Sequence, residues 1–309
     1  MVTRRQLIAA GGAAALHSLM PRPAEAAGAC GRRLGYRIFG NPDGPPVFYF
    51  HGTPGSRLEA ALIQCEARAA GVRLIAVDRP GMGRSAYQSC RRILDWPCDV
   101  ERLAECLGLG GQRFGIVGLS GGAPYAASCA ICIPERLTHV AIVSGYAPLG
   151  APGVCPGNQD ELIELVAKRP RLAKGFFGLI GKRLDKRPDK VVQRVTKGWT
   201  AADKRMVLCN PVHYRQLVAN LNAATACGPQ GIVTDIRLLA GCWGFDVSSI
   251  CGVPVSIWQG CCDRIATPSM GRYFHERIAG SELHLDPDGG HVTTLKCNAV
   301  QILSRAAAG

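Results

Sequence analysis

The sequence predicts an α/β fold, in which a mostly parallel sheet carries helices on both faces and one helical insertion. Three observations lead there. Short apolar runs recur along the chain, each broken by a Gly- or Pro-rich turn. Helix-prone stretches separate them, the alternation that builds a parallel sheet covered on both sides. The chain has 309 residues, 47% of them hydrophobic, enough to bury a sizeable core. No internal repeat is present, and beyond the N-terminus no apolar run is long enough to span a bilayer.

The first strand pattern is Val47-Phe48-Tyr49-Phe50, which stops abruptly at His51-Gly52-Thr53-Pro54-Gly55-Ser56-Arg57. The second, Leu74-Ile75-Ala76-Val77, runs into Asp78-Arg79-Pro80-Gly81-Met82-Gly83-Arg84-Ser85. Asp78 precedes every candidate nucleophile and sits among turn formers, so it is read as a turn organiser rather than a catalytic acid. The third, Phe114-Gly115-Ile116-Val117, leads through Gly118-Leu119-Ser120-Gly121-Gly122 into the helix-prone stretch that begins at Ala123. G-x-S-x-G on a strand-to-helix turn strains the serine backbone and exposes its hydroxyl, and the crowding of strand against helix demands small neighbours. Free N–H groups at the start of the following helix face the same spot. The turns after Phe50 and Val117 can therefore aim two backbone N–H groups, those of Thr53 and Gly121, at a developing oxyanion.

Ala141-Ile142-Val143-Ser144 is the next strand, and no acid follows it until Asp160. Residues 253–258 form another, followed by Cys261-Cys262-Asp263; residues 282–285 form the last, followed by Asp286-Pro287-Asp288-Gly289-Gly290-His291. The chain order Ser120, Asp263, His291 is one of the three orders in which unrelated folds build a serine triad. His284 competes for the base, but it falls inside a strand pattern as a half-buried residue. His275 lies in a helical pattern, and His51 braces the oxyanion turn.

These residues resemble the α/β-hydrolases with an HG-x-P-G oxyanion loop, a DRPG-x-G-x-S loop, a G-x-S-G-G nucleophile turn and a late GGH histidine. The resemblance covers residues 32–145 and 246–305. It implies Ser120 as nucleophile, His291 as general base and acid, Asp263 as the residue orienting it, and the N–H groups of Thr53 and Gly121 as the oxyanion hole. It also implies that residues 148–245 form a helical lid over the serine, within which residues 160–168, 171–184 and 190–197 have helical patterns. Phe176, Phe177, Trp243 and Phe245 are its bulky candidates for a substrate pocket. The expected activity is hydrolysis of a small carboxylic ester through an acyl-enzyme, with lactone or amide hydrolysis, perhydrolysis without a cofactor, or a non-catalytic binding protein as alternatives.

The N-terminus reads as an address. Thr3-Arg4-Arg5-Gln6-Leu7-Ile8 resembles a twin-arginine export signal, an apolar stretch follows, and Ala24-Glu25-Ala26 offers a cleavage site before Ala27. The expected organisation is a signal peptide over 1–26, a core over 27–147 and 246–309, and the lid over 148–245. The protein is then periplasmic or secreted, with lipid anchoring at Cys30 the weaker alternative. The chain has 15 cysteines. That count is odd, and a chain of this size needs no disulfide framework, so most of them are read as small buried apolar residues. Cys129-x-x-Cys132 has ligand spacing but no second C-x-x-C, so neither a metal nor any other cofactor is expected. Of the 36 Lys and Arg, 13 fall between Lys168 and Arg205, against only Asp185, Asp189 and Asp203, so much of the +13 formal charge sits there. They suggest weak attraction to an anionic membrane surface, although a solvated helical face is the favoured reading because no regular apolar stripe accompanies them. With few aromatics and no recognised module, nucleic-acid binding is not expected.

Overall fold

The computed structural model describes residues 24–27 and 31–308. One sheet of eight strands organises it, in the spatial order β1-β2-β4-β3-β5-β6-β7-β8. These are β1 (Ala24–Ala27), β2 (Arg33–Gly40), β3 (Pro46–Phe50), β4 (Arg73–Val77), β5 (Phe114–Leu119), β6 (Leu137–Val143), β7 (Val255–Gly260) and β8 (Glu282–Asp286). β1 and β2 join antiparallel at one edge, and β4 onward is parallel. The inner parallel strands, such as β3 and β5, are buried on both faces, which explains why their sequences are continuous apolar runs rather than alternating ones, whereas the edge strand β8 is partly exposed.

Side chains alternate across each strand and feed two cores. Val47 and Tyr49 face one side with Leu74, Val117 and Val143, under α1 (Gln64–Ala69) and the C-terminal helix. Phe48 and Phe50 face the other with Ile75, Ile116 and Ile142, under α2 (Trp96–Cys106) and α3 (Ala123–Cys132). Register levels the carboxyl ends of the strands: Phe50 pairs with Gly118, Leu119 with Val143, and Val143 with Trp258. The loops bearing His51, Ser120 and Asp263 therefore leave from one rim, where open α/β sheets place their ligands.

The insertion between β6 and β7 is helical: α4 (Asp160–Lys168), α5 (Pro170–Lys186), α6 (Pro188–Val195), α7 (Ala201–Leu208), α8 (Pro211–Thr225) and α9 (Gln230–Ala240). A small core of Leu184, Val191, Val192 and Leu221 serves part of it. Two helices follow, α10 (Pro268–Arg277) and α11 (Thr293–Ala307).

Two sequence expectations meet different outcomes here. The paired arginines and the apolar stretch of the proposed signal lie outside the described residues, while Ala24–Ala27, which spans the proposed cleavage site, forms the edge strand β1. The reading of most cysteines as buried is wrong. Among the 14 described, only Cys129 is buried, and the other 13 are exposed. Most of them, such as Cys98, Cys132, Cys209 and Cys297, stand on outward helix faces or loops, where no packing demand selects them.

At Gly115 in β5 the C-terminal helix comes close to the sheet, since a Cβ there would lie 2.1 Å from the Ala306 carbonyl oxygen. Gly115→Ala is expected to lower stability by about 1–3 kcal/mol through forced separation of α11 from the sheet. A urea denaturation midpoint indistinguishable from the parent would contradict that packing.

Candidate active site

Ser120 begins the single 3-10 turn that connects β5 to α3, with φ +52°. The turn leaves no room for side chains beside it. A Cβ at Gly118 would lie 2.8 Å from both the Ala126 Cβ and the Gly122 oxygen, and one at Gly122 would lie 2.3 Å from the Phe50 oxygen. The strain of the left-handed region is held by this crowding and by the Tyr146 N–H, which donates to the Ser120 oxygen at 3.1 Å. Gly121 abuts Thr53, whose Oγ1 would lie 2.5 Å from a Cβ at 121. The two backbone positions expected to face an oxyanion are thus adjacent.

Asp263 lies beyond β7 and is buried. Its Oδ1 accepts the Ile265 and Ala266 N–H groups at 2.8 and 3.2 Å, and its Oδ2 lies 2.8 Å from His291 Nδ1. Burial works against a charged His291, but the Asp263 carboxylate outweighs it and raises the imidazole above its ordinary value of 6.5, with Asp203 and Glu59 adding to the effect. His284 stays in β8, stacked on Trp258 at 4.0 Å. His275 lies on α10, with Nδ1 3.1 Å from Ser281 Oγ.

The oxyanion turn is braced by buried charge. His51 Nε2 accepts the Arg79 N–H at 3.2 Å, which places the ring proton on Nδ1, 2.8 Å from the Gly52 oxygen. Burial, reinforced by Arg79, holds His51 well below its usual value, so it is neutral. Asp78 accepts the Arg57 N–H at 2.7 Å and the Arg84 N–H at 2.9 Å, tying the loops after β3 and β4 together.

Two residues that sequence reasoning missed come from the insertion. Asp235 on α9 accepts from Thr53 Oγ1 at 2.5 Å, from Arg79 and Arg91 at 2.8 and 2.7 Å, and from the Tyr125 hydroxyl at 2.6 Å. Burial alone would protonate it, but the two guanidiniums hold its carboxyl far below the ordinary range. Asp203 on α7 accepts the N–H groups of His291, Val292 and Thr293 at 3.0, 3.0 and 2.9 Å, and the Thr293 hydroxyl at 3.0 Å. It is an anion seated at the start of α11. A Cβ at Gly290 would lie 2.3 Å from its Oδ2, which explains the second glycine of Gly289-Gly290-His291. Its own helix opens with a capping box, Thr200 to Asp203, a signal the sequence displayed without revealing the second role.

Phe177 and Trp243 are buried in the main core, and Phe176 and Phe245 are partly buried against it. Phe176 and Phe177 meet at 5.3 Å, and Trp243 lies against Phe245 and Phe274 at 5.8 and 6.4 Å. The cavity beside the catalytic loops, about 60 Å³, is lined instead by residues such as Leu119, Trp199, Leu217 and Val292. Among the described residues no group of three or more His, Cys, Asp or Glu is arranged to hold a metal ion.

Asp235→Ala strands two buried guanidiniums, a hydroxyl and a phenol. It should cost about 3–5 kcal/mol in urea denaturation. Asp203→Ala should leave the β-sheet signal intact and lower turnover by on the order of 10-fold or more, because the backbone N–H groups of His291, Val292 and Thr293 lose their shared acceptor. Full turnover in a folded Asp203→Ala protein would show that the loop positions itself.

The sequence also matches known proteins. The proline iminopeptidase of Neisseria gonorrhoeae is 26% identical over 190 residues, 56% of this chain and 58% of that enzyme, so the match spans little more than half of it. A probable proline iminopeptidase of Leptolyngbya boryana is 22% identical over 83% of this chain and 84% of its own. The enol-lactonase of Burkholderia xenovorans superposes with a TM-score of 0.67 at 21% identity, over 90% of this chain and 96% of its own, a likeness of fold. The model of the alpha/beta hydrolase fold family matches residues 45–295, and this chain belongs to that family.

Proposed function

We propose that this hydrolase-family protein cleaves a carboxylic ester with Ser120, His291 and Asp263. The observation that carries the reading is the 2.8 Å contact between His291 Nδ1 and Asp263 Oδ2, which fixes the imidazole with Nε2 free to act, beyond the same sheet rim that holds Ser120 in its strained turn. His291 takes the Ser120 proton as Oγ attacks the acyl carbon. The N–H groups of Thr53 and Gly121 stabilise the tetrahedral oxyanion, which collapses as His291 protonates the departing alcohol. Water, deprotonated by His291, then releases the acid and regenerates Ser120. Amide cleavage is a second reading, favoured by the proline iminopeptidases among the relatives. A matched ester and anilide of the same acid would separate the two by their kcat/KM ratio.

Ser120→Ala should abolish labelling by a fluorophosphonate and lower ester turnover by on the order of 10³-fold or more in a folded protein. Retained labelling sinks the assignment. Because only neutral His291 accepts a proton and its pKa is raised, kcat/KM should fall on the acid side through a limb lying above 6.5. Asp263→Asn removes the main charge that raises it, so the limb should move to lower pH while the plateau drops. A limb that stays where it was would mean that a different pair sets the acid side.

A further inference from the structure

Helix α5 packs through one face only. Ala173, Phe177 and Leu184 are buried on that face. Leu172 and Leu179 point the other way, 71% and 46% exposed, too open to serve either core. They stand seven residues apart, so two turns of helix bring them onto one line, about 10 Å from each other, and the exposed Lys186 continues it. Exposed Arg171 and Lys182 fall on one side of that line and exposed Arg183 on the other. The basic run that showed no regular apolar stripe in sequence thus folds into a line of leucines edged by cations.

The fold makes no use of these charges. Other exposed basic residues pair with an acid three or four positions away, as Arg92 does with Asp95, Arg102 with Glu105 and Lys168 with Glu164. Over residues 169–187, seven Lys or Arg stand against one acid, Asp185. Arg171, Lys182, Arg183 and Lys186 have no carboxylate partner among the described residues. Lys182 and Lys186 are like charges four positions apart, a spacing that weakens a helix in water. A face that exposes leucines among mutually repelling cations gains from a surface that offers apolar contact and negative charge together. Nucleic acid or another soluble polyanion would neutralise the cations and leave the leucines in water. An anionic bilayer takes both, because its acyl chains accept the leucines while the long Arg and Lys stems keep their charges at the phosphates.

We propose that the outward face of α5 docks the protein on an anionic lipid bilayer, with Leu172 and Leu179 at the acyl boundary and Arg171, Lys182, Arg183 and Lys186 among the headgroups. The opposite face of α5 stays packed in the protein, so the helix lies along the interface without rearrangement. Two leucines give a shallow anchor, and exposed cations are screened by salt, so the attachment is reversible and sensitive to ionic strength. It is independent of the reaction proposed for Ser120.

The test is flotation of the full chain with vesicles of phosphatidylcholine and phosphatidylglycerol in equal parts, with pure phosphatidylcholine vesicles and a heparin column as controls. The parent should float with the mixed vesicles, be released by salt and ignore phosphatidylcholine alone. Lys182→Glu with Arg183→Glu should lower the partition coefficient by about 10-fold or more. Arg68→Glu with Arg272→Glu makes the same change of net charge at exposed positions on α1 and α10, and should lower it by less than about 3-fold. Leu172→Gln with Leu179→Gln should weaken vesicle binding by about 5-fold or more and leave elution from heparin unchanged. All these positions are exposed, and thermal denaturation checks that each variant is folded. No flotation of the parent, equal flotation with phosphatidylcholine alone, or equal losses in the two charge variants overturns the docking face. A leucine variant that binds vesicles as tightly as the parent would assign the face to soluble polyanions and overturn it as well.

Discussion

The buried Asp235 carboxylate is the constraint on which the active-site rim depends. It is the shared acceptor for Arg79, Arg91, Thr53 and Tyr125, residues drawn from the ends of β3 and β4, the chain before α2, and α3. None of those cations has another carboxylate within reach among the described ion pairs. An insertion tethered this way is not a loose flap. Asp203 repeats the device on the opposite flank by capping α11 and the His291 loop. Two carboxylates of the insertion thus hold the two flanks of the sheet rim that bears Ser120 and His291.

The charges around the rim are sorted by side. Arg79 and Arg91 stand behind the oxyanion turn and exceed their one carboxylate by one formal charge. Asp263, Asp203 and Glu59 are the carboxylates that favour a charged His291. Acyl transfer by the proposed mechanism moves a proton to the histidine and leaves negative charge at Thr53 and Gly121. The fixed field therefore runs in the direction of the charge separation, so little reorganisation is needed when the barrier is crossed.

The candidate site was legible in part because its demands are local. A strained serine needs glycines beside it, and the ends of apolar runs reveal where loops leave a parallel sheet; those patterns marked the turns bearing Ser120, Asp263 and His291, and the family resemblance supplied the roles proposed for them. Asp203 and Asp235 were hidden because their partners lie 88 and 182 residues away in sequence, and a carboxylate on a helix looks like any solvated one until the helix is docked. Helices α7 and α8 escaped notice for a related reason. Their apolar residues do not gather into a single periodic stripe. Strand β2 passed unseen because it joins antiparallel at the edge, with a mixed inside-outside pattern unlike its parallel neighbours. For the aromatic residues size alone decides little: bulk is as useful for filling a core as for lining a pocket, and spacing does not tell the two apart.

The exposed cysteines set the behaviour of the molecule in air. Thiol–disulfide exchange is limited by access and by the approach of a second sulfur. Thirteen described thiols are accessible and none of them is joined to a neighbour in this fold. Oxidation between molecules is therefore open to them, at a rate that rises with concentration. The product is a branching mixture of linkages rather than one defined dimer, and a reductant reverses it.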